Sequence, residues 1–193
     1  MKNTYNVEIE SKFLVTEEDY YRKLNFLVVN NPKLKGTASV LIINHYYDTE
    51  DLSLYKKGDT LRVRQKDNHL LLEYKQIKSF DTNKRVCKEF SQPIRSLPKI
   101  ISDLSAFNIG NKNIKFRYIG NTTSERTNFR LEEINIFFDK NFYLGKLDHE
   151  IELEIFEGIN IDKYKKLLDL DVNFKNNFKS KYMRFAETYF NWE

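Results

Sequence analysis

The chain of 193 residues is short of the residues that cross-link or punctuate a fold: it has one cysteine, three prolines and six glycines. A single cysteine, Cys87, excludes an internal disulfide and fits a reducing compartment. With no histidine beside it in sequence, Cys87 is read as a strand residue without chemistry of its own. No apolar run approaches the roughly 20 residues of a membrane span. The N-terminal stretch becomes charged by Glu8, so no signal peptide is visible and a soluble, cytoplasmic protein is the expectation. There is also no long run of lysine or arginine. The net charge of +4 is mild and the basic residues are scattered, so neither nucleic acid nor a membrane is an expected partner. Repeats, linkers and low-complexity tracts are absent too, which predicts one domain over residues 1–193. What remains is 31% charged and 15% aromatic, the composition of a globular chain long enough to bury a core.

Pattern and punctuation place the elements. Thr16 followed by Glu17, Glu18 and Asp19 predicts a helix start, with the run ending near Val29 before Asn30-Asn31-Pro32. Ser39 to Thr49 is β-branched and aromatic and reads as a strand. Thr60–Lys66 and His69–Ile77 read as a hairpin about Asp67-Asn68, followed by a strand at Arg85–Ile94. Pro93 and Pro98 bracket a change of direction, and Lys99–Phe107 has the spacing of a short helix. Strands are expected again from Ile114 to about Glu125, from Phe129 to Asp139 and from Leu147 to Phe156. Asp162–Leu170 reads as a helix. A last helix over about 179–190 puts Tyr182, Phe185, Ala186, Tyr189 and Phe190 on one face. With the N-terminal strand the count is about eight. The expected fold is mainly β (α+β), a closed eight-stranded antiparallel barrel with flanking helices and an interior wide enough for one small ligand.

The strands carry an unusual pattern. Glu8, Glu10 and Lys12 alternate with Ile9 and Ser11; Arg62 and Arg64 alternate with Val63; Glu73 and Lys75 flank Tyr74. Glu150, Glu152 and Glu154 alternate with Ile151 and Leu153. Such charges ordinarily face water. Here, however, the signs are segregated by strand, whereas solvated faces mix them and like charges across a sheet repel. Paired arginines offer forked donors suited to a phosphate chain, and clustered carboxylates suit hard cations such as Mg²⁺ or Mn²⁺. Turned inward, the charges would line a barrel with phosphate binders on one side and metal binders on the other. Lys181, a cation in the first turn of the last helix, opposes the helix dipole and so points to a role in an anion site.

Glu8-Ile9-Glu10-Ser11-Lys12 resembles the Glu-x-Glu-x-Lys signature of the CYTH superfamily, the triphosphate tunnel metalloenzymes. The likeness continues in order through Arg62-Val63-Arg64, Leu72-Glu73-Tyr74-Lys75, Arg126 ahead of a hairpin, Phe138 to Gly145, and Asp148 to Glu152. It is most similar to the CYTH proteins of low-G+C Gram-positive bacteria. What the resemblance implies is a tunnel that binds a small-molecule triphosphate with Mg²⁺ or Mn²⁺. By position, Glu8, Glu10, Asp139, Glu150 and Glu152 match the metal-binding side. Lys12, Arg62, Arg64, Lys75, Arg126 and Lys181 match the phosphate-binding side, with Glu8, Glu10, Lys12 and Lys75 at the reacting centre. Glu73, Lys88, Glu89, Arg130 and Glu154 lie near further tunnel positions without an assigned role. His45, His69 and His149 match none and read as ordinary strand or turn residues.

The resemblance implies a metal-dependent hydrolase that cleaves the terminal phosphoanhydride of inorganic triphosphate or of an organic one such as thiamine triphosphate or a nucleotide. An organic head group would need an apolar clamp at one mouth, for which Tyr46, Tyr47, Tyr143 and Trp192 are candidates. The alternatives are cyclisation of ATP to cyclic AMP and a polyphosphate- or nucleotide-binding module without turnover. The oligomeric state is left open between monomer and homodimer.

Overall fold

A strand that alternates charged and apolar residues must turn one set inward. In the computed structural model, which describes residues 5–32, 38–80, 84–107, 114–131, 133–155, 158–160, 162–170 and 179–191, the charges turn inward. The first half runs β1 (Asn6–Val15), α1 (Glu17–Asn30), β2 (Val40–Asp48), α2 (Ser53–Lys57), β3 (Thr60–Lys66), β4 (His69–Phe80) and β5 (Arg85–Ile94). It continues with β6 (Ile100–Ile101), β7 (Phe116–Leu131), β8 (Ile134–Tyr143), β9 (Lys146–Ile155), α3 (Asp162–Leu167) and α4 (Lys181–Phe190). Eight strands pair in the order β2-β3-β4-β5-β1-β9-β8-β7, and β7 pairs back onto β2 to close the barrel. The short β6 adds to β7 on the edge opposite β2. Among the described residues no helix is long and apolar enough to cross a membrane.

The apolar alternates face outward and are covered there. Ile9, Phe13, Ile136, Phe138, Ile151 and Leu153 form one buried cluster with Tyr20 and Leu27 of α1 and Tyr164 of α3. Leu61, Val63, Leu72 and Tyr74 form a second with Ile101, Leu104, Phe107 and Phe116. Each such side chain taken from water contributes about 1.5–3 kcal/mol. Thr16 caps α1 by accepting from Asp19 N at 3.1 Å. On the buried face of that helix, Lys23 donates to the carbonyls of Leu168 and Asp169 at 2.6 and 2.8 Å, tying α1 to the end of α3.

Several boundaries differ from expectation. Lys99–Phe107 is not a helix but β6 and a 3-10 turn at Ser105–Phe107. Its apolar residues recur every third position, and Ile101, Leu104 and Phe107 use that period to cover the outer face of β3 and β4. The strands expected at Ile114–Glu125 and Phe129–Asp139 are redivided: β7 runs on to Leu131 and β8 starts at Ile134, so Arg126 lies within β7, ahead of the β7–β8 hairpin turn and opposite Asp139. Pro93 lies within β5 opposite Leu71, beyond the part of β5 that β1 reaches, where a missing N–H costs no ladder bond. α3 stops at Leu167, and α2 was not foreseen.

α4 closes one end of the barrel. Tyr46, Tyr182, Phe185 and Ala186 form a third buried cluster, and Phe185 sits directly on Gly120 of β7. A methyl group at Gly120 would come within 2.4 Å of Phe185 Cζ. Gly120→Ala is therefore expected to destabilise the fold by about 1–3 kcal/mol through overpacking, read as a lower thermal midpoint. Adding Phe185→Leu should recover only part of that loss, because Gly120 has a φ of +158° that alanine adopts with strain. An unshifted midpoint in the single variant would mean that α4 does not hold this position in solution.

Candidate active site

The alternation on β1 sends Glu8, Glu10 and Lys12 into the barrel, where all three are buried. Lys75, from β4, lies 2.7 Å from Glu8 and 2.8 Å from Glu10. Lys12 lies 2.8 Å from Glu10 and also contacts Glu152 of β9. Arg85, opposite Glu10 in the β1–β5 register, donates to Glu10 Oε1 at 2.7 Å. Burial raises the pKa of Glu10, but Lys12, Lys75 and Arg85 outweigh it and hold the group well below the usual carboxylate range. Glu8 goes the other way, pushed well above that range by burial and by the charge of Glu10.

A second cluster forms where β7, β8 and β9 meet α4. Asp139 is paired with Arg126 through two parallel bonds of 2.7 and 2.6 Å. Arg126 also reaches Glu152 at 3.0 Å, and its guanidinium stacks 4.1 Å from the Phe137 ring. Lys181, the first residue of α4, lies 2.9 Å from Asp139 and contacts Glu150. Arg126 and Lys181 hold Asp139 ionised against the cost of burial. Arg184, one turn on, bonds Asp148 at 2.9 Å and lies 2.8 Å from Glu150 Oε2, off the hydrogen-bonding direction, so that contact is an ion pair.

The arginines of β3 stand apart from these acids. Arg62 bonds Glu73 at 2.6 Å and lies 3.6 Å from Glu89. Among the described residues Arg64 makes only long contacts, 3.4 Å to Glu73 and 3.3 Å to Asn44. Burial and repulsion from Arg62 push its pKa down. A guanidinium so placed is short of negative charge.

Glu8, Lys12, Arg62, Arg64, Lys75, Arg85, Arg126, Glu152 and Lys181 line one cavity of about 630 Å³. At its α4 end lie Tyr46, Thr60, Ser180, Lys181 and Tyr182. Tyr46 and Tyr182 pack at 5.0 Å there, and Tyr182 donates to the buried Asp48 at 2.7 Å. At the opposite end, by the β3–β4 hairpin, the lining includes Val40, Ile42, Leu71 and Phe137 with Lys66, Asp67 and His69. Charge thus fills the middle and the α4 end, and apolar groups gather at the mouth.

Every expected site residue faces this interior: Glu8, Lys12, Arg62, Arg64, Lys75, Arg126, Glu152 and Lys181 line the cavity, and Glu10, Asp139 and Glu150 are fully buried behind them in ion pairs. The signs are less segregated than expected, because Lys12 and Lys75 sit among the acids. Glu89 and Glu154 line the cavity. Glu73 pairs with both β3 arginines. Lys88 faces outward, its ammonium 4.0 Å over the Tyr5 ring, and Arg130 is exposed near the end of β7. His45 bonds Gln65 and His149 packs 5.0 Å from Tyr20, both on the outer face, whereas His69 lies at the mouth. The suggested clamp residues are elsewhere: Tyr46 is at the α4 end, Tyr47 donates to Pro98 O, and Tyr143 donates to Asp148. Trp192 lies outside the described residues. The sequence reading missed Arg85 and Arg184. Arg85 could have been found by strand parity with Glu89, and Arg184 by its i+3 spacing from Lys181.

The acids fit a divalent metal. Carboxylate oxygens of Glu8, Glu10 and Glu152 lie within 4.8 Å of one another, as do those of Asp139, Glu150 and Glu152. Both sets are hard oxygen donors, which select Mg²⁺ or Mn²⁺ over softer ions, and both share Glu152.

Fold and cavity together define a closed β tunnel lined by ion-paired charges. The chain belongs to the CYTH domain family, whose profile matches residues 6–185. It is 25% identical over 199 residues to YjbK of Bacillus subtilis (strain 168), provisionally described as a triphosphatase, with 94% of this chain and 95% of that protein covered. A Bacillus halodurans structure provisionally described as an adenylate cyclase has a TM-score of 0.69 at 22% identity, covering 94% of this chain and 98% of that one. The Hippeastrum protein HpAC1, provisionally an adenylyl cyclase and described as having a dominant triphosphatase activity, has a TM-score of 0.68 at 19% identity, with 94% and 96% covered. At these identities the two solved structures establish the fold and not the reaction.

Proposed function

We propose that this protein is a metal-dependent hydrolase of an organic triphosphate. The observation that carries the reading is a single cavity in which two carboxylate clusters sharing Glu152 face the under-neutralised Arg64 and its neighbour Arg62. Glu8, Glu10, Asp139, Glu150 and Glu152 would hold Mg²⁺ or Mn²⁺. Arg62, Arg64, Arg126, Lys12, Lys75 and Lys181 would hold the phosphate oxygens. A divalent ion held there would supply charge neutralisation to the phosphate chain and would make a bound water more acidic.

The chain itself supplies position and electrostatic stabilisation, which is most of what phosphoryl transfer needs. Arg62 and Arg64 present forked donors along one strand. Lys12 and Lys75 exchange their carboxylate partners for phosphate oxygens. A water then attacks the terminal phosphorus, forming one P–O bond as the anhydride P–O bond breaks, and gives phosphate and a diphosphate with release of a proton to solvent. The apolar mouth favours an organic head group over inorganic triphosphate, since a bare phosphate chain would leave Val40, Ile42, Leu71 and Phe137 uncovered.

The test is phosphate release from inorganic triphosphate, thiamine triphosphate and ATP, each with Mg²⁺, Mn²⁺ or chelator. Metal-dependent release from an organic substrate is expected. A cyclic product with diphosphate would assign cyclisation instead, and metal-dependent binding without product would assign a binding module. Leu71→Ala should raise KM for the organic substrate about tenfold, the scale of a lost apolar contact, and leave that for inorganic triphosphate unchanged. Equal effects on both would place the head group elsewhere.

A further inference from the structure

Three cations crowd one buried carboxylate, and they do not share it evenly. Lys12 and Lys75 both approach Glu10 Oε2, each at 2.8 Å. Arg85 alone takes Oε1, through Nε at 2.7 Å and a second guanidinium nitrogen at 2.5 Å. Lys12, Lys75 and Arg85 all line the cavity that triphosphate would enter, and Glu10 is fully buried between them. Oε1 lies on the β5 side, where backbone pairing sets Arg85 opposite Glu10.

We infer that Arg85 is a positioning residue, a fixed counter-charge that aims Glu10 so that Oε2 is presented to a divalent cation. The inference rests on the triphosphatase reading for its function, and on geometry for its assignment. Lysine is a compact charge on a flexible stem, able to move from carboxylate to phosphate. Arginine remains charged and grips through a rigid fork. When a metal ion takes Oε2 and the lysines turn to phosphate, Glu10 would lose both partners on that oxygen. Arg85 keeps the carboxylate oriented through the exchange. Groups that hydrogen-bond a metal ligand and orient it typically account for 10–100-fold in metal affinity.

The experiment is calorimetric titration of Mn²⁺ into the wild-type protein, Arg85→Gln and Arg85→Lys without substrate, beside titration of inorganic triphosphate in chelator and steady-state kinetics. Arg85→Gln should weaken Mn²⁺ binding about 10–100-fold. In the same variant, metal-free triphosphate affinity should change less than about threefold, far below the tenfold that a lost phosphate contact of 1.4 kcal/mol would give. Arg85→Lys keeps the charge, loses the fork and should fall between, carrying the test if the glutamine variant does not fold. Raising Mn²⁺ should restore kcat in the lysine variant without altering KM for the substrate. Unchanged Mn²⁺ affinity in a folded variant, or a loss confined to triphosphate affinity, overturns the assignment and makes Arg85 a phosphate binder. No Mn²⁺ binding by the wild type overturns it as well. A wild type that binds Mn²⁺ but hydrolyses nothing removes the triphosphatase reading alone, and Arg85 is then judged on metal affinity.

Discussion

Glu10→Gln is expected to split binding from turnover, abolishing metal-dependent phosphate release while tightening metal-free triphosphate binding. Glu10 is fully buried and contacted by Lys12, Lys75 and Arg85. The amide keeps the shape and removes the charge. Turnover should fall by about a thousandfold or more, roughly 4 kcal/mol of transition-state stabilisation. Lys12 and Lys75 each lose one of two carboxylate partners, keeping Glu152 and Glu8 respectively, and so are freer to turn to phosphate oxygens; affinity in chelator should rise about tenfold, worth roughly 1.4 kcal/mol. Phosphate release and calorimetry on one preparation measure both signs. Wild-type turnover in the variant would take Glu10 off the metal-binding side. Weaker binding in chelator would mean the lysines are not the groups that exchange.

The second large effect is on stability. Lys181→Met removes the ammonium that α4 places 2.9 Å from Asp139 and in contact with Glu150, both fully buried. Breaking a buried pair from one side costs about 3–5 kcal/mol when the remaining charge is left unpaired; Arg126 still pairs Asp139 and Arg184 still pairs Glu150, so the lower end, about 3 kcal/mol, is expected. For a chain of this size that corresponds to a fall of about 6–12 °C in thermal midpoint. A divalent cation can replace the missing charge, so Mn²⁺ at about a hundred times its Kd should return about 2.7 kcal/mol. A large fall without recovery in Mn²⁺ would mean that Asp139, Glu150 and Glu152 do not hold a metal. A negligible fall would mean that Lys181 does not sit at this cluster in solution.

The strands, the barrel class and the inward charges were legible because period-two alternation survives whichever face is buried. Segregated signs then separated an inward lining from a solvated one. Boundaries failed where punctuation is missing. Leu131-Glu132-Glu133-Ile134 contains no glycine, proline or asparagine to announce the turn between β7 and β8. In β7, the run Asn121 to Asn128 is polar on both faces and carries no alternation to read. Arg85 and Arg184 were missed for another reason. Parity and spacing show which way each points, but the buried acid each one contacts depends on register across β1–β5 or on how α4 docks, neither of which local sequence encodes. The mouth was misjudged because aromatic residues drew attention, whereas Val40, Ile42 and Leu71 are ordinary strand residues until the barrel closes around them.

That closure has a kinetic consequence. β1 and β9 lie near opposite ends of the chain, yet Lys12 pairs in register with Glu152, and β2 must find β7 before the ring is complete. Pairings this distant in sequence pay their loop-closure entropy before they are rewarded, which slows folding. Neither carboxylate cluster exists in a partly assembled chain, because Glu152, common to both, is contributed by the last strand of the barrel. Recovery of metal binding during refolding should therefore track the final cooperative step, and a nascent chain still lacking β9 would bind no metal here at all.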